Sequence, residues 1–372
     1  MKILIIVWNF YPNTAYTNHT KATVRGMRES GCDVDVLSIK PLIKEDSDCI
    51  KSQKLSSKAI IPTAIGMLAD YLILKKSIKK YDVIYCTISN VRILKTVMCE
   101  AQKHGLPIVH ERTEMPDIFF DNTSKSQRAL KAYLNKVSKF DKIFTISNPI
   151  RDYFIEHDVP SEKIHIYPMI VDPHRFDGIH KQKQAFHYVA YCGNLSNSKD
   201  GVADLIEAYG KSKAKITHKL MLIGSIPSGV DKSIYDTLIK EYSIEEKTVF
   251  LGQVSRDEMP QILMNADALL LCRPDNRQAL GGFPTKLGEY LSTGNPVLVT
   301  RVGDIGKYIV DGENGFLANP GDVDDFSRKL DYIVDNYEKA CEIGYRGRDL
   351  AYDAFNYSVQ TNKVVEIIKT LL

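Results

Sequence analysis

The sequence predicts an α/β protein built from two doubly wound domains, each a parallel sheet covered by helices on both faces. Three observations predict it. Short apolar runs of strand length alternate with segments of helix length along nearly the whole chain, the pattern of βαβ units. The alternation is interrupted once, near 172–184, by a stretch containing Asp172-Pro173-His174 and the polar run from His180 to Gln184. The length, 372 residues, is too great for one ordinary core.

In the first half, strands are expected at 2–7, 33–38, 83–87, 106–110, 142–146 and 164–168, with helices at 18–30, 59–78, 91–104, 126–139 and 149–157. The second series has strands at 187–191, 219–223, 248–251, 267–272 and 296–299, and a short one near 315–317. Its helices are expected near 201–212, 231–242, 256–264, 285–293 and 322–337. From Asn356 to Leu372 the spacing of Val359, Val364, Val365, Ile367 and Ile368 predicts an amphipathic helix. The resulting division is a first domain at 1–178, a second at 179–352 and a terminal helix at 353–372 that packs back on the first domain. Ligands of such sheets bind beyond the carboxyl ends of the strands, so two facing domains would hold an active site in the cleft between them.

Hydrophobic residues make up 44% and charged residues 26%, the balance of a soluble globular protein. The seven cysteines (32, 49, 86, 99, 192, 272 and 341) are scattered and form no C-x-x-C, which points to reduced thiols in a cytoplasm. The apolar start, Met1 to Val7, runs directly into Trp8-Asn9-Phe10-Tyr11-Pro12 and reads as a first strand, not a signal peptide. The net charge of +3 is uneven: residues 1–180 hold 26 Lys and Arg against 20 Asp and Glu, the remainder 23 against 26. A basic first half suggests an anionic surface on that side. The one membrane-like run, Ala59 to Leu74, contains Pro62 and Asp70 and is shorter than the ~20 apolar residues of a spanning helix. Lys75, Lys76, Lys79 and Lys80 follow it, so it reads either as a core-facing helix with a basic end or as a helix lying on an anionic membrane. A second basic stretch, Lys125 to Lys142, fits the same surface.

The stretch richest in chemistry is 280–301. The pair Gly281-Gly282 leads to Pro284, a residue suited to a helix start, and Gly294 and Pro296 end the helix. A Gly-rich turn entering a helix N-terminus favours an anion, through its N–H groups and the helix dipole. Lys286 in the first turn adds a full charge, and Glu289 one turn on offers a carboxylate to two sugar hydroxyls. Two D-x-D sequences, Asp33-Val-Asp35 and Asp322-Val-Asp324, are set aside as metal motifs, because the first alternates along a strand and the second opens a helix. No G-x-G-x-x-G, P-loop, H-E-x-x-H or His/Cys cluster is present, so neither a nicotinamide or ATP site nor a metal site is expected.

Five places together resemble the retaining glycosyltransferases of family 4, the group 1 glycosyltransferases of GT-B fold, over nearly the whole chain. They are Phe144-Thr-Ile-Ser-Asn-Pro149, the segment from Glu162 to Phe176, Tyr191-Cys-Gly-Asn-Leu-Ser-Asn-Ser-Lys-Asp-Gly201, the run from Val249 to Val254 with 265–297, and Asp311-Gly-Glu-Asn-Gly315. The GT-B fold has two facing Rossmann-like domains, the first binding the acceptor and the second the nucleotide sugar. The resemblance implies that Lys199 holds the donor diphosphate and that Glu289, placed by Gly294 and Pro296, holds the ribose hydroxyls. It implies close backbone approach at Gly193, a donor-lining role for Gly224, and main-chain contacts to the base at Gln253 and Val254. It also places a donor-facing histidine at His110.

The chain departs from the family pattern in three places. The motif arginine beside Gly193 is Asn194, the position eight residues before Glu289 is Gly281 where the family has a first Glu, and the first-loop glycine pair is absent from 13–18. Arg273, Asp275 or Asn276 and the amides from Gly281 through Gly282 to Phe283 are candidate substitutes at the donor sugar, and Lys286 beside Thr285 would restore the charge lost at Asn194. Glu111, Arg112 and Glu114 read as acceptor-site groups or as a solvated charge cluster. The family implies metal-independent transfer of a sugar, with retention, from a nucleotide diphosphate sugar to a hydroxyl of a glycan or lipid-linked acceptor, in cell-envelope polysaccharide synthesis. No cofactor and no nucleic-acid partner are expected. The expected location is the cytoplasm, with an anionic inner membrane face as a further partner. A binding protein that has lost catalysis and a nucleotide-sugar epimerase of the same fold stay open beside it.

Overall fold

The computed structural model describes residues 1–11, 14–39, 75, 78–120 and 122–372. The apolar run Ala59 to Leu74, and with it most of the expected helix at 59–78, lies outside the described residues. The chain forms two compact units, one of residues 1–168 with 357–372 and one of residues 169–356.

The first unit contains β1 (Lys2–Val7), α1 (Ala15–Glu29), β2 (Asp33–Ser38), β3 (Val83–Cys86), α2 (Val91–Lys103), β4 (Ile108–Arg112), α3 (Ser124–Val137), β5 (Lys142–Thr145), α4 (Asn148–Ile155) and β6 (Ile164–Ile166). Helix starts follow their caps: Thr14 accepts from the Thr17 N–H, Asn90 from Arg92 and Ile93, and Thr123 from Ser126. The strands form one parallel sheet in the order β2-β1-β3-β4-β5-β6. β3 and β4 are buried along their whole length, as strands covered on both faces must be. The strand order reverses between β1 and β3, which is the topological switch point of this sheet.

The second unit contains β7 (His187–Cys192), α5 (Asn197–Asp200), α6 (Val202–Lys211), α7 (Ala214–Thr217), β8 (His218–Ile223), α8 (Ser233–Glu241), β9 (Thr248–Gly252), α9 (Met259–Asn265) and β10 (Ala268–Leu271). It continues with α10 (Arg277–Gly281), α11 (Thr285–Thr293), β11 (Val297–Thr300), α12 (Ile305–Tyr308), β12 (Phe316–Ala318), α13 (Val323–Asp335) and α14 (Tyr337–Asp353). Its parallel sheet has the order β12-β11-β10-β7-β8-β9, so the switch point lies between β7 and β10.

The unit boundary falls at Pro168/Met169, not at 178/179. The ten residues between pack on the second unit: Val171 bridges to Asn356, and Met169 and Val171 fill the space beside Gly288. Helix α15 (Tyr357–Lys369) completes the first unit. It packs on α1, where Gly26 leaves room for Thr361, and the Tyr357 hydroxyl donates to Glu29 Oε1 at 2.7 Å.

Helix α14 was not legible as a helix. Its buried positions are Ala340, Ile343, Gly344, Gly347 and Ala351, correctly spaced for one face but mostly too small to register as apolar. They are small because backbone comes close: a Cβ on Gly344 would stand 2.5 Å from the Asn295 carbonyl carbon, and one on Gly347 2.4 Å from the Asn314 oxygen. Of the two D-x-D sequences, Asp33 and Asp35 alternate along β2, and Asp322 caps α13 by accepting from the Asp325 N–H.

Candidate functional site

At the switch point of the second unit, β7 ends in Cys192 and the chain turns at Gly193. Gly193 has φ +151°, and a Cβ there would lie 2.2 Å from Lys286 Nζ. Gly224, which follows β8, has φ +131°, and its Cβ would lie 2.0 Å from the Gly193 oxygen. Both places are therefore closed to side chains. Helix α11 brings up Lys286 in its first turn and Tyr290 one turn later. The Cys192 N–H donates to the Tyr290 hydroxyl at 2.6 Å, which fixes the helix against the end of β7. Pro284 caps α11 without a side-chain hydrogen bond to the first-turn amides.

Lys286 Nζ donates to Asp200 Oδ2 at 2.6 Å and to the Tyr191 hydroxyl at 2.9 Å, and lies 4.6 Å from the Tyr191 ring centroid. Asp200 is buried, and burial alone would raise its carboxyl. Lys286, Arg273 and the Tyr191 hydroxyl together outweigh that and hold it below the usual carboxylate range. Burial pushes the Lys286 ammonium below its ordinary value against the pull of Asp200. Arg273 is wholly buried just beyond β10; its Nη1 donates to the Gly282 carbonyl at 2.9 Å, its Nε to the Lys199 carbonyl at 3.4 Å, and it stands 4.0 Å from Asp200 Oδ1. Two cations thus face one carboxylate, leaving one positive charge at the switch point. Lys199 on α5 is exposed and adds another.

The structure revises two of the expected contacts. Arg273 is not a surface contact for a donor sugar: its guanidinium is buried against backbone carbonyls, so it positions Lys199 and Gly282 and supplies charge. Lys286 does not stand free in place of the missing arginine at Asn194, because Asp200 neutralises most of its charge. The Phe283 side chain is core, with ring centroids 5.4 Å from Tyr308 and 5.5 Å from Phe355, which leaves the backbone amide, the group the sequence had singled out, as the part that can line a site. Asn194 and Gln253 are exposed, and Val254 is half-buried, just beyond β7 and β9. Thr285 opens α11, and Asn276 caps α10 by accepting from the Ala279 N–H. Glu289 has a partner not foreseen, since Arg175 Nη1 donates to its Oε1 at 2.6 Å. The Arg175 Nη2 donates to the Arg256 carbonyl at 2.5 Å. Sequence reasoning missed Asp200, Tyr191 and Arg175, because their partners are 86, 95 and 114 residues away.

In the first unit, His110 is not a donor-facing histidine. β4 runs to Arg112, two residues past the expected end, so His110 sits inside the strand opposite Cys86. Its Nδ1–H donates to the Cys86 carbonyl at 2.8 Å, and its Nε2 accepts from the Tyr133 hydroxyl at 2.8 Å. Burial, with the Arg112 charge nearby, lowers its pKa to about 3, so it is a neutral core residue. Glu111 and Arg112 are not a solvated cluster either. Glu111 accepts from the Tyr85 hydroxyl at 2.8 Å and pairs with His19 at 2.5 Å. Arg112 donates to the Glu114 carbonyl at 2.7 Å, to Ser89 Oγ, and to the Met115 carbonyl at 3.4 Å.

One grouping has no counterpart in the sequence motifs. His187, His218 and Asp267 converge at the opposite, amino-terminal end of the second sheet, with ligand-type atoms within 4.8 Å of one another. Lys181 Nζ donates to Asp267 Oδ1 at 2.6 Å, so the protein itself meets the carboxylate charge. Burial pushes the His218 imidazole down. We read the group as an ion-pair cluster that anchors three strand starts.

Two parallel sheets of these orders, the second with a cationic, glycine-lined switch point, define a GT-B protein. The family model for Glycosyl transferases group 1 matches residues 175–350, and that for Glycosyltransferase Family 4 matches residues 17–175. The chain belongs to glycosyltransferase family 4, the group 1 glycosyltransferases. It is 22% identical over 396 residues to an uncharacterized glycosyltransferase of Methanocaldococcus jannaschii, covering 96% of this chain and 97% of that one. It is 27% identical over 170 residues to the N-acetyl-alpha-D-glucosaminyl L-malate synthase of Bacillus anthracis, covering 46% of this chain and 41% of that enzyme, less than half its length. Among solved structures, HepE of Anabaena in complex with UDP superposes with a TM-score of 0.76 at 17% identity, covering 100% of both chains. HepE has also been crystallised with UDP-glucose and with UDP and glucose. Among the described residues, no helix is long and apolar enough to cross a membrane.

Proposed function

We propose that this protein transfers a sugar from a nucleoside diphosphate sugar to a hydroxyl of a glycan or lipid-linked acceptor, with retention and without a metal ion, in cell-envelope polysaccharide synthesis. The observation that carries the donor half is the switch point of the second unit, where Lys286 and Arg273 face Asp200 beside Gly193 and Gly224. Departure of the diphosphate is the hard step, since negative charge builds on the leaving oxygen. Lys199, the residual charge of the buried cluster and the first-turn amides of α11 are the groups that stabilise it. Supplied by the chain itself, that charge removes the need for a cation. Glu289, oriented by Arg175, receives the ribose hydroxyls through its remaining lone pairs. The UDP, UDP-glucose and glucose complexes of HepE support a uridine nucleotide and a sugar acceptor for this chain too.

Acceptor and place in metabolism rest on family likeness and on charge. Lys125, Arg128, Lys131 and Lys139 are exposed on and just after α3, a basic face suited to an anionic membrane. A second reading, donor binding without transfer, is favoured by Gly281, which lies in α10 where the family has a carboxylate.

A thermal-shift screen against UDP, GDP, ADP and their sugars, followed by product analysis with chelator present, tests the proposal. We expect one base to raise the melting temperature and one sugar to be transferred with its anomeric configuration kept. Binding with no transfer to any hydroxyl acceptor would favour the second reading, and epimerised free sugar would replace both.

A further inference from the structure

We infer that the switch point of the first unit is a built subsite for one neutral hydroxyl group of the sugar acceptor, with His19 Nδ1 as the atom that receives its hydrogen bond. This rests on the transferase reading for the word acceptor, but the site itself stands on its own geometry. A small cavity of about 30 Å³ lies there, lined by Tyr16, His19, Thr20, Thr87, Glu111, Arg112 and Thr113. Its walls are the first turns of α1 after β1, Thr87 after β3 and the carboxyl end of β4, where the strand order reverses and where open parallel sheets hold ligands.

Three observations identify what the cavity takes. First, His19 lines it and is 9% exposed, yet its Nδ1 has no hydrogen-bond partner. A buried ring nitrogen left without a partner is destabilising, so such atoms call for an explanation. Second, the tautomer is assigned by the other nitrogen. Nε2 lies 2.5 Å from Glu111 Oε1, and an ionised carboxylate only accepts, so Nε2 carries a proton and, in the neutral imidazole, Nδ1 carries the lone pair. Glu111 is itself held by Tyr85, 2.8 Å from Oε2, and the pair is locked in place.

Third, the cavity has no cation to spare. Arg112 is committed to the carbonyls of Glu114 and Met115 and to Ser89, and an anion beside His19 would stand close to the Glu111 carboxylate. The remaining lining side chains, Tyr16, Thr20, Thr87 and Thr113, carry hydroxyls, with Tyr16 bonded to Thr87 and Thr20 Oγ1 donating to the Tyr16 carbonyl at 3.0 Å. A lone pair, neighbouring hydroxyls and a volume near that of one water suit a hydroxyl donor and not a phosphate or a whole ring. The sugar ring would lie outside, with one hydroxyl inserted.

The test is histidine-detected nitrogen NMR on the full chain, titrated with methyl glycosides of glucose, galactose, mannose and N-acetylglucosamine, with and without UDP. His19→Gln assigns the His19 signal, and its side-chain amide can keep the bond to Glu111 while removing the Nδ1 lone pair. We expect at least one glycoside to move the His19 Nδ1 resonance, inorganic phosphate not to, and His19→Gln to weaken binding of that glycoside about fivefold to tenfold, one lost neutral hydrogen bond. Should His19→Gln not fold, Glu111→Gln serves, since it frees the imidazole tautomer and should weaken the same glycoside. A His19 signal indifferent to all four glycosides marks a water site only and overturns the inference, as does a signal moved by phosphate. Because the titration needs no turnover, a protein that binds sugar here yet transfers nothing refutes the transferase reading alone.

Discussion

The two switch points hold similar numbers of buried charged groups but leave different balances, one positive and one neutral. In the second unit, Lys286 and Arg273 outnumber Asp200, and the net charge at the strand ends is positive. In the first unit, the Glu111 carboxylate is taken up by His19 and Tyr85, and Arg112 by backbone carbonyls and Ser89, so what faces the cavity is hydroxyl and imidazole. The halves of the chain as a whole run the other way, 26 basic against 20 acidic residues in 1–180 and 23 against 26 after it. Net charge therefore reports on the outer surface, where α3 carries its lysines, and not on the sites. What a switch point binds is decided by which charges remain after the local pairs have formed.

The largest expected effect probes the space at the second switch point. Gly224→Ala pushes a Cβ to 2.0 Å from the Gly193 oxygen at a positive φ, so the second unit should lose about 4 kcal/mol in denaturant titration. Unchanged stability would mean that this turn is not packed as described. Next comes the buried pair. Lys286→Met leaves Asp200 without its nearest cation and should cost about 3 kcal/mol, whereas Lys286→Arg should recover part of that. A loss under 1 kcal/mol would show that Asp200 is met by solvent, and the comparison of charge balances would fail.

The first unit makes a different prediction, through pH. His110 has a pKa near 3 in the folded state against ~6.5 when unfolded, so between those values the unfolded chain binds more protons. Its contribution to stability is full above pH ~6.5 and falls by on the order of 1.4 kcal/mol per pH unit as pH drops towards 3. The urea midpoint of the first unit should track that slope, and His110→Gln should flatten it; identical slopes in both proteins would show that His110 is not buried and neutral. The smallest effects are on rate. Lys199→Ala and Glu289→Ala should each lower turnover at least tenfold, about 1.4 kcal/mol of barrier, with melting temperatures little changed. Near-normal rates in both would remove the assignment of the leaving-group and ribose sites.

Much of this architecture was legible because the strands are continuous apolar runs and the helices carry large residues on one face. β1, β2 and α11 fall at 2–7, 33–38 and 285–293 as expected. Legibility failed where packing uses small residues, as in α14, whose Gly344 and Gly347 meet backbone instead of filling a core. Of the site, the gathering of Gly193, Gly224 and Lys286 at one set of strand ends was legible. The site was not legible as a charge balance, because the Asp200–Lys286 and Arg175–Glu289 pairs join residues far apart in the chain. His110 was misplaced by two residues of strand length: a histidine at a strand end faces a ligand, and one inside the strand bonds its neighbours. For the same reason Glu111 and Arg112, which do reach the end of β4, were legible only as acceptor-site groups or a solvated charge cluster.

The most direct test of the account is a crystal structure of the full chain with UDP or GDP bound. We predict diphosphate oxygens within about 3 Å of Lys199 Nζ and of main-chain amides beside Gly193 or at the start of α11, with Glu289 on the ribose. A diphosphate held instead beside His19 and Glu111, or a Lys199 ammonium turned away from it, would contradict the assignment of the two switch points.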